Sequence, residues 1–238
     1  MPVKYANLPA AKQVRKLIVA IDGPAGAGKS TVAKRLAKEL DYTYMDTGAM
    51  YRAFAWRVMK EGIDLSDEQE LKRILEETRI ELKENDGRLT VFLNGLDITD
   101  QIRTPELSQM ASKVSAFKIV RERMVDLQRA MAFEGGVVAE GRDIGTVVFP
   151  EADVKIYLDA SSQERAKRRF EELKRQKEQV TLEETLVEMR ERDRRDQERA
   201  VAPLCKAEDS IVIDSTYFGV DQVMDRIMQE VKNKLPRI

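Results

Sequence analysis

The sequence predicts an α/β protein whose three-layer core holds about five parallel strands between helices. Short apolar runs recur along the chain, and helical segments separate them. A glycine-rich loop joins the first run to a helix, which is the order found in a nucleotide-binding βα unit. The chain has 238 residues, of which 42% are hydrophobic, so it can bury a full core.

The strands and helices follow from local pattern. Residues 17–21 are continuously apolar and rich in β-branched side chains, as expected of a strand buried on both faces. Residues 31–40 carry apolar side chains at a helical period and predict the first helix. The other predicted strands are residues 42–45, 137–139, 154–158 and 211–213.

Two regions interrupt this alternation. Residues 79–93 predict a β-hairpin that turns at Asn85-Asp86-Gly87, within a small β-containing insertion at residues 64–106. Residues 161–199 are dense in charge and predict two solvated helices held by i,i+4 ion pairs. We therefore expect a core over residues 17–63 and 107–238, with residues 1–16 as an N-terminal tail of no assigned role.

Composition excludes several kinds of chemistry. The 41 basic and 42 acidic residues nearly cancel, so net charge does not support nucleic-acid binding. Histidine is absent, which removes imidazole catalysis and histidine metal sites, and Cys205 is the only cysteine, so we expect a buried or inert thiol. No stretch approaches the roughly 18 apolar residues that span a bilayer. We expect a cytoplasmic protein with neither a membrane nor a nucleic-acid partner.

The glycine-rich loop matches the pattern G-x-x-x-x-G-K-[ST] through Gly23, Gly28, Lys29 and Ser30. Its amides can surround a phosphate at the positive end of the following helix. Lys29 can reach the β- and γ-phosphates, and the Ser30 hydroxyl can bind Mg²⁺. The predicted triphosphate-binding residues are Gly23, Pro24, Ala25, Gly26, Ala27, Gly28, Lys29, Ser30 and Thr31.

This loop alone does not separate GTPases, motor ATPases, small-molecule kinases and nucleotide-switched binding modules. The sequence has no Asn-Lys-x-Asp tetrapeptide, the usual guanine-reading motif, and this absence disfavours a GTPase.

Three further segments carry candidate acceptor-binding residues. Arg52 lies about one turn inside the helix predicted after the second strand, and Arg142-Asp143 follow a later strand at its carboxyl end. Arg192, Asp196 and Arg199 are spaced i, i+4 and i+7 on one helical face, which Arg195 borders. The structural alternatives are a capped helix with a surface arginine, a loop salt bridge and a solvated mixed-charge helix.

Together these segments resemble bacterial cytidylate kinases, a branch of the nucleoside monophosphate kinases. The matching stretches are collinear and cover residues 21–30, 46–52, 141–150, 155–161 and 192–204. The resemblance implies a P-loop kinase core, a monophosphate-binding insertion at the hairpin and a helical lid within about residues 161–199. It implies transfer of phosphate from ATP, with Mg²⁺, to CMP and dCMP by a monomer.

The resemblance also implies roles for single residues. Ser112, Arg121 and Asp143 would read cytosine, Arg192 and Asp196 would meet the sugar, and Arg52, Arg142 and Arg199 would hold the CMP phosphate near Thr47. The implied catalytic residues are Lys29, Arg142, Arg192, Arg195 and Arg199. The alternatives are a kinase for another small acceptor, such as another monophosphate or shikimate, and a nucleotide-switched binding module.

Overall fold

Strands and helices alternate through most of the protein, whose computed structural model describes residues 16–85, 88–175 and 179–235. In chain order the elements are β1 (Ile18–Asp22), α1 (Lys29–Leu40), β2 (Thr43–Asp46), α2 (Thr47–Glu61), α3 (Glu68–Glu76), β3 (Ile80–Asn85), β4 (Arg88–Leu93), β5 (Leu96–Asp97), α4 (Pro105–Val114), α5 (Lys118–Met131), β6 (Val137–Gly141), β7 (Val154–Asp159), α6 (Ser162–Arg175), α7 (Leu182–Glu198), β8 (Ile211–Asp214) and α8 (Val220–Lys234). A π-helical turn, Ile144–Val148, follows β6.

The central sheet is parallel and has the strand order β2-β6-β1-β7-β8. Val19 and Ile21 of β1 pack on the side of α1 and α8, whereas Ala20 packs on the side of α5 and the π-helical turn. All three side chains are fully buried, which explains the uninterrupted apolar run. The predicted three-layer core and its five strands are confirmed.

A second, antiparallel sheet has the order β3-β4-β5. The pairs run from Ile80–Leu93 to Asn85–Arg88, as the predicted hairpin requires. Residues 86 and 87 of the predicted turn lie outside the described residues. The sheet shares an apolar cluster with α2, α3, α4 and α5. Leu89 instead packs into the cluster of the central sheet, so the hairpin contacts both layers.

The charged stretch forms α6 and α7, but it is less solvated than predicted. Arg165 and Asp193 are buried and form an ion pair with 2.6 Å between Nη1 and Oδ2. Because α7 ends at Glu198, Arg199 adopts extended backbone (φ −61°, ψ 139°) and does not continue the helical face. Cys205 is exposed, so of the expected buried or inert thiol the buried alternative is wrong. Among the described residues, no helix has both the length and the hydropathy required of a membrane span.

Candidate active site

The glycine-rich loop leaves the carboxyl end of β1 in a shape that side chains would obstruct. A Cβ atom on Gly23 would lie 1.9 Å from the carbonyl oxygen of Leu158 in β7. Gly28 takes a left-handed conformation (φ 95°) and caps α1 without a side-chain hydrogen bond. The first amides of α1 are therefore available to an anion.

Side chains from other parts of the chain bind two carbonyls of the glycine-rich loop. Arg165 donates to the Ala25 carbonyl at 3.0 Å. Arg168 and the Ser215 hydroxyl both donate to the Ala27 carbonyl, at 3.4 and 3.1 Å. These contacts come from α6 and from the residue after β8, so elements distant in sequence fix the loop.

Lys29 is buried within this loop, and its Nζ donates to the Pro24 carbonyl at 2.7 Å. Desolvation lowers the pKa of Lys29 to about 7, and the nearby Arg142 guanidinium acts in the same direction. A bound phosphate would favour the charged form of the amine, as opposite charges do at short distance.

A cavity of about 210 Å³ lies beside the loop, at the carboxyl ends of β2 and β6. Ligands bind at this edge in open parallel sheets. The cavity brings together predicted residues from five segments of the chain. Those lining it are Ala25, Gly26, Lys29, Ser30, Thr47, Arg52, Ser112, Arg121, Arg142, Asp143, Arg192, Asp196 and Arg199.

The other predicted residues do not line this cavity. Arg195 is turned toward α4, where it donates to the Gln109 side chain at 2.5 Å. Gly23, Pro24, Ala27, Gly28 and Thr31 belong to the loop and to the start of α1 but do not reach the cavity wall.

One end of the cavity is a buried polar pocket. Arg121 forms a buried ion pair with Asp143, and Arg199 Nη2 lies 3.5 Å from the other oxygen of that carboxylate. The Tyr51 ring stacks 5.6 Å from the Arg121 guanidinium. Within the described residues, the buried hydroxyls of Ser112 and Tyr51 have no hydrogen-bond partner. These unmade hydrogen bonds suit a flat polar ligand, since buried polar groups are normally paired.

Cations line the wall between this pocket and the loop. Arg142 Nε donates to Asp196 Oδ2 at 2.9 Å, and Arg52 Nη2 donates to Asp46 Oδ2 at 3.1 Å. Desolvation lowers the pKa of Arg192 to about 10, and Arg142 adds to this effect. Such crowding of partly desolvated guanidiniums favours binding of phosphate groups.

Two acidic residues of the site were not predicted from the sequence. Glu140 is buried at the end of β6 and accepts from the Tyr44 hydroxyl at 2.5 Å, and burial raises its pKa. Asp22 accepts from the amides of Ile144 and Gly145 at 2.8 and 2.7 Å. The sequence signal for both is a single charge that ends an otherwise apolar strand.

Comparison with known proteins agrees with this geometry. The family model described as cytidylate kinase matches residues 19–233. A cytidylate kinase of Pelotomaculum thermopropionicum is 51% identical over 214 residues, which cover 90% of this chain and 95% of the relative. Cytidylate kinases of Desulfitobacterium hafniense and Bacillus subtilis are each 48% identical, covering 93% and 92% of this chain and 95% and 98% of their own lengths.

The chain belongs to the cytidylate kinase family.

Membership of the cytidylate kinase family confirms the resemblance inferred from the five collinear stretches. The family match starts at residue 19 and so leaves out the predicted N-terminal tail. Residues 1–15 of that tail also lie outside the described residues.

Proposed function

We propose that this protein transfers the γ-phosphoryl group of ATP to CMP and dCMP, yielding CDP and dCDP. One observation carries the proposal: a single cavity beside the phosphate loop is lined by every residue to which the resemblance assigns CMP binding. In chain order these are Thr47, Arg52, Ser112, Arg121, Arg142, Asp143, Arg192, Asp196 and Arg199.

Transfer requires positioning and charge neutralisation more than covalent help from the protein. An oxygen of the CMP phosphate forms a bond to the γ-phosphorus of ATP, and the bond from that phosphorus to the β–γ bridging oxygen breaks. Lys29 binds the donor phosphates, whereas Arg52, Arg142 and Arg199 hold the acceptor phosphate. Arg192 is close enough to Lys29, Arg52 and Arg142 to interact with all three electrostatically, and it offsets the charge that spreads over the transferring oxygens.

The polar pocket accounts for the choice of cytosine. Cytosine differs from uracil by an exocyclic amino donor and a ring nitrogen acceptor at position 3. Asp143 accepts from the amino group, and Arg121, already paired with Asp143, donates to the ring acceptors. The free hydroxyl of Ser112 completes the contacts. The ribose lies toward Asp196 and Arg192.

The residues around Ser30 fit Mg²⁺ that arrives with ATP. The Ser30 hydroxyl interacts with Glu140, and both line the cavity. Oxygen donors of this kind are those that Mg²⁺ prefers. The described residues contain no cluster of three or more candidate metal ligands, so phosphate oxygens would complete the coordination. When bound, Mg²⁺ neutralises charge on the donor phosphates.

We assign the monophosphate-binding insertion to residues 64–106, although the residues that line the acceptor cavity lie on either side of it in the chain. We assign the lid to α6 and α7, within about residues 161–199. The lid excludes water, which would otherwise accept the phosphoryl group. Arg195 belongs to this lid, and the resemblance assigns it to the cations near the transferring group. Its Nε, which has no hydrogen-bond partner within the described residues, can serve this role while Nη2 stays bonded to Gln109. From the resemblance we further propose that the enzyme works in the cytoplasm as a monomer, on free nucleotides and without a membrane or nucleic-acid partner.

A coupled assay of ADP release tests the proposal with CMP, dCMP, UMP, AMP and shikimate as acceptors. We expect turnover with CMP and dCMP, less with UMP, and none with shikimate, which has no cytosine edge to read. A preference for AMP or shikimate would identify another small-acceptor kinase. ATP binding without acceptor-dependent ADP release would instead indicate a nucleotide-switched binding module.

A further inference from the structure

Gln109 of α4 bridges two charged residues of α7. Its amide Nε2 donates to Glu188 Oε1 at 2.6 Å, and its Oε1 accepts from Arg195 Nη2 at 2.5 Å. A primary amide can do both because one end is a donor and the other an acceptor, without adding a charge. Neither hydrogen bond involves the glycine-rich loop, so the bridge is separate from the residues that bind the donor phosphates.

One end of the bridge, Glu188, lines the acceptor cavity. Ser112, which lines the base-binding pocket, is three residues beyond Gln109 and thus shares its face of α4. Arg192, four residues after Glu188, shares the face of α7 that carries Glu188 and also lines the cavity. The Gln109 amide therefore fixes the helix that carries a base-reading residue against the helix that carries the sugar-binding residues.

We infer that Gln109 is a positioning residue for the acceptor nucleotide: its amide sets the spacing of α4 and α7 and so lets base and sugar be bound together. This inference rests on the proposed function and identifies a residue that controls acceptor binding. Both hydrogen bonds involve a charged partner, and such bonds are stronger than neutral ones. The Arg195 guanidinium donates to Gln109 through Nη2, whereas its Nε is buried and has no hydrogen-bond partner within the described residues.

Replacement of Gln109 by leucine tests the inference, because leucine keeps much of the volume and loses both hydrogen bonds. We expect KM for CMP to rise about tenfold, with KM for ATP unchanged within about twofold. The matched control is Gln101→Leu, the same change at an exposed position before α4. An unchanged KM for CMP, or an equal rise for both substrates, would overturn the inference.

A charge exchange separates positioning from general damage. Gln109→Glu keeps the acceptor for Arg195 but places a carboxylate against Glu188, so we expect KM for CMP to rise at least as much. Adding Glu188→Gln restores a donor–acceptor pair in the opposite direction, so KM for CMP should return to within about threefold of the wild-type value. Failure of the double variant to recover CMP binding would contradict the role of the bridge.

A double-mutant cycle on unfolding by urea provides a readout without turnover. If Gln109 and Glu188 interact as described, the effects of Gln109→Leu and Glu188→Leu on the free energy of unfolding will not add. Absence of CMP-dependent ADP release in the wild-type protein would defeat the proposed function. The bridge would then be judged by this cycle, and additive effects would reject it.

Discussion

At the scale of single residues, arginines of the site are held by carboxylates before any phosphate is bound. Arg142 is paired with Asp196, and Arg52 with Asp46. Each guanidinium keeps further N–H groups that its carboxylate partner does not use, and the Nε atoms of Arg52 and Arg192 are buried without hydrogen bonds inside the described part of the chain. A phosphate therefore meets donors that are already oriented, which lowers the ordering cost of binding.

Asp143 is the residue on which base selectivity depends most directly. Asp143→Asn removes the acceptor charge that faces Arg121 and Arg199, and Asp143→Ala removes the acceptor altogether. We expect KM for CMP to rise about 10- to 100-fold, with selectivity for CMP over UMP reduced and KM for ATP nearly unchanged. Steady-state kinetics with the three nucleotides will measure this.

The matched control for this prediction is Asp126→Asn, the same change at an exposed position of α5. An equal loss of CMP and UMP turnover in the Asp143 variants would show that Asp143 supports the fold of the pocket and does not read the base.

Asp22 predicts a pH dependence of stability. Burial raises its pKa from 3.8 to about 6, despite the two amides it accepts from. The folded protein therefore binds this proton more tightly than the unfolded chain does. The resulting stabilisation is complete below pH 3.8 and is lost as the pH rises through about 6.

Urea unfolding of the wild-type protein and of Asp22→Asn, from about pH 4 to pH 7, will test this. The difference in free energy of unfolding, wild type minus variant, should fall by up to about 3 kcal/mol over that range. A difference that does not change with pH would rule out a raised pKa at Asp22.

At the scale of elements, the phosphate loop depends on close contact between its first glycine and β7. In Gly23→Ala the new methyl group would collide with the Leu158 carbonyl, so the loop or the strand must move. We expect loss of measurable ATP binding in calorimetry and a fall in stability of several kcal/mol.

Gly62→Ala is the control, because Gly62 also has positive φ but has open space around its Cα. That variant should lose only about 1 kcal/mol of stability and keep ATP affinity. Equal effects at both glycines would show that backbone conformation, and not the contact with β7, determines the choice of glycine at Gly23.

The elements of the core could be predicted from sequence because their causes are local. Residues 17–21 and 154–158 are largely apolar runs whose length and composition already indicate buried strands. The burial of the Arg165–Asp193 pair was not predictable in this way. The two residues lie 28 positions apart. The spacing of charges in this stretch fits exposed helices as well as it fits helices with a buried ion pair.

The candidate site was likewise predictable where its residues form a local pattern, and not where they meet only through packing. The phosphate loop is continuous in sequence, and the predicted site arginines other than Arg121 lie within the matching stretches. Gln109 and Glu188 carry no such pattern, because their relation exists only once α4 and α7 pack together. Arg199 lines the cavity, but the helix whose face the spacing predicts to carry it ends one residue earlier.

At the scale of the whole molecule, the hairpin and the parallel sheet are joined through apolar side chains. Leu89 of β4 is 3% exposed and belongs to the central apolar cluster with Tyr44 and residues of α1. Ile80, Val91 and Leu93 of the same sheet belong to the cluster that contains α2 and α3. The two layers therefore share buried surface and should unfold together.

Leu89→Ala should lower the free energy of unfolding by about 2–5 kcal/mol while the transition remains single and cooperative. Circular dichroism and tryptophan fluorescence, which reports on Trp56 of α2, should give coincident curves. Separate transitions by the two probes would show that the hairpin part folds independently. Leu96→Ala, at an exposed leucine of β5, provides the comparison.

The hydrogen bonds to the Ala25 and Ala27 carbonyls have a consequence for the entropy of nucleotide binding. Because Arg165, Arg168 and Ser215 bind these carbonyls, the loop is ordered by the folding of the whole domain and not by its ligand. The entropy of ordering is then lost during folding, and ATP meets a rigid receptor. Association should accordingly follow a lock-and-key course at the donor end.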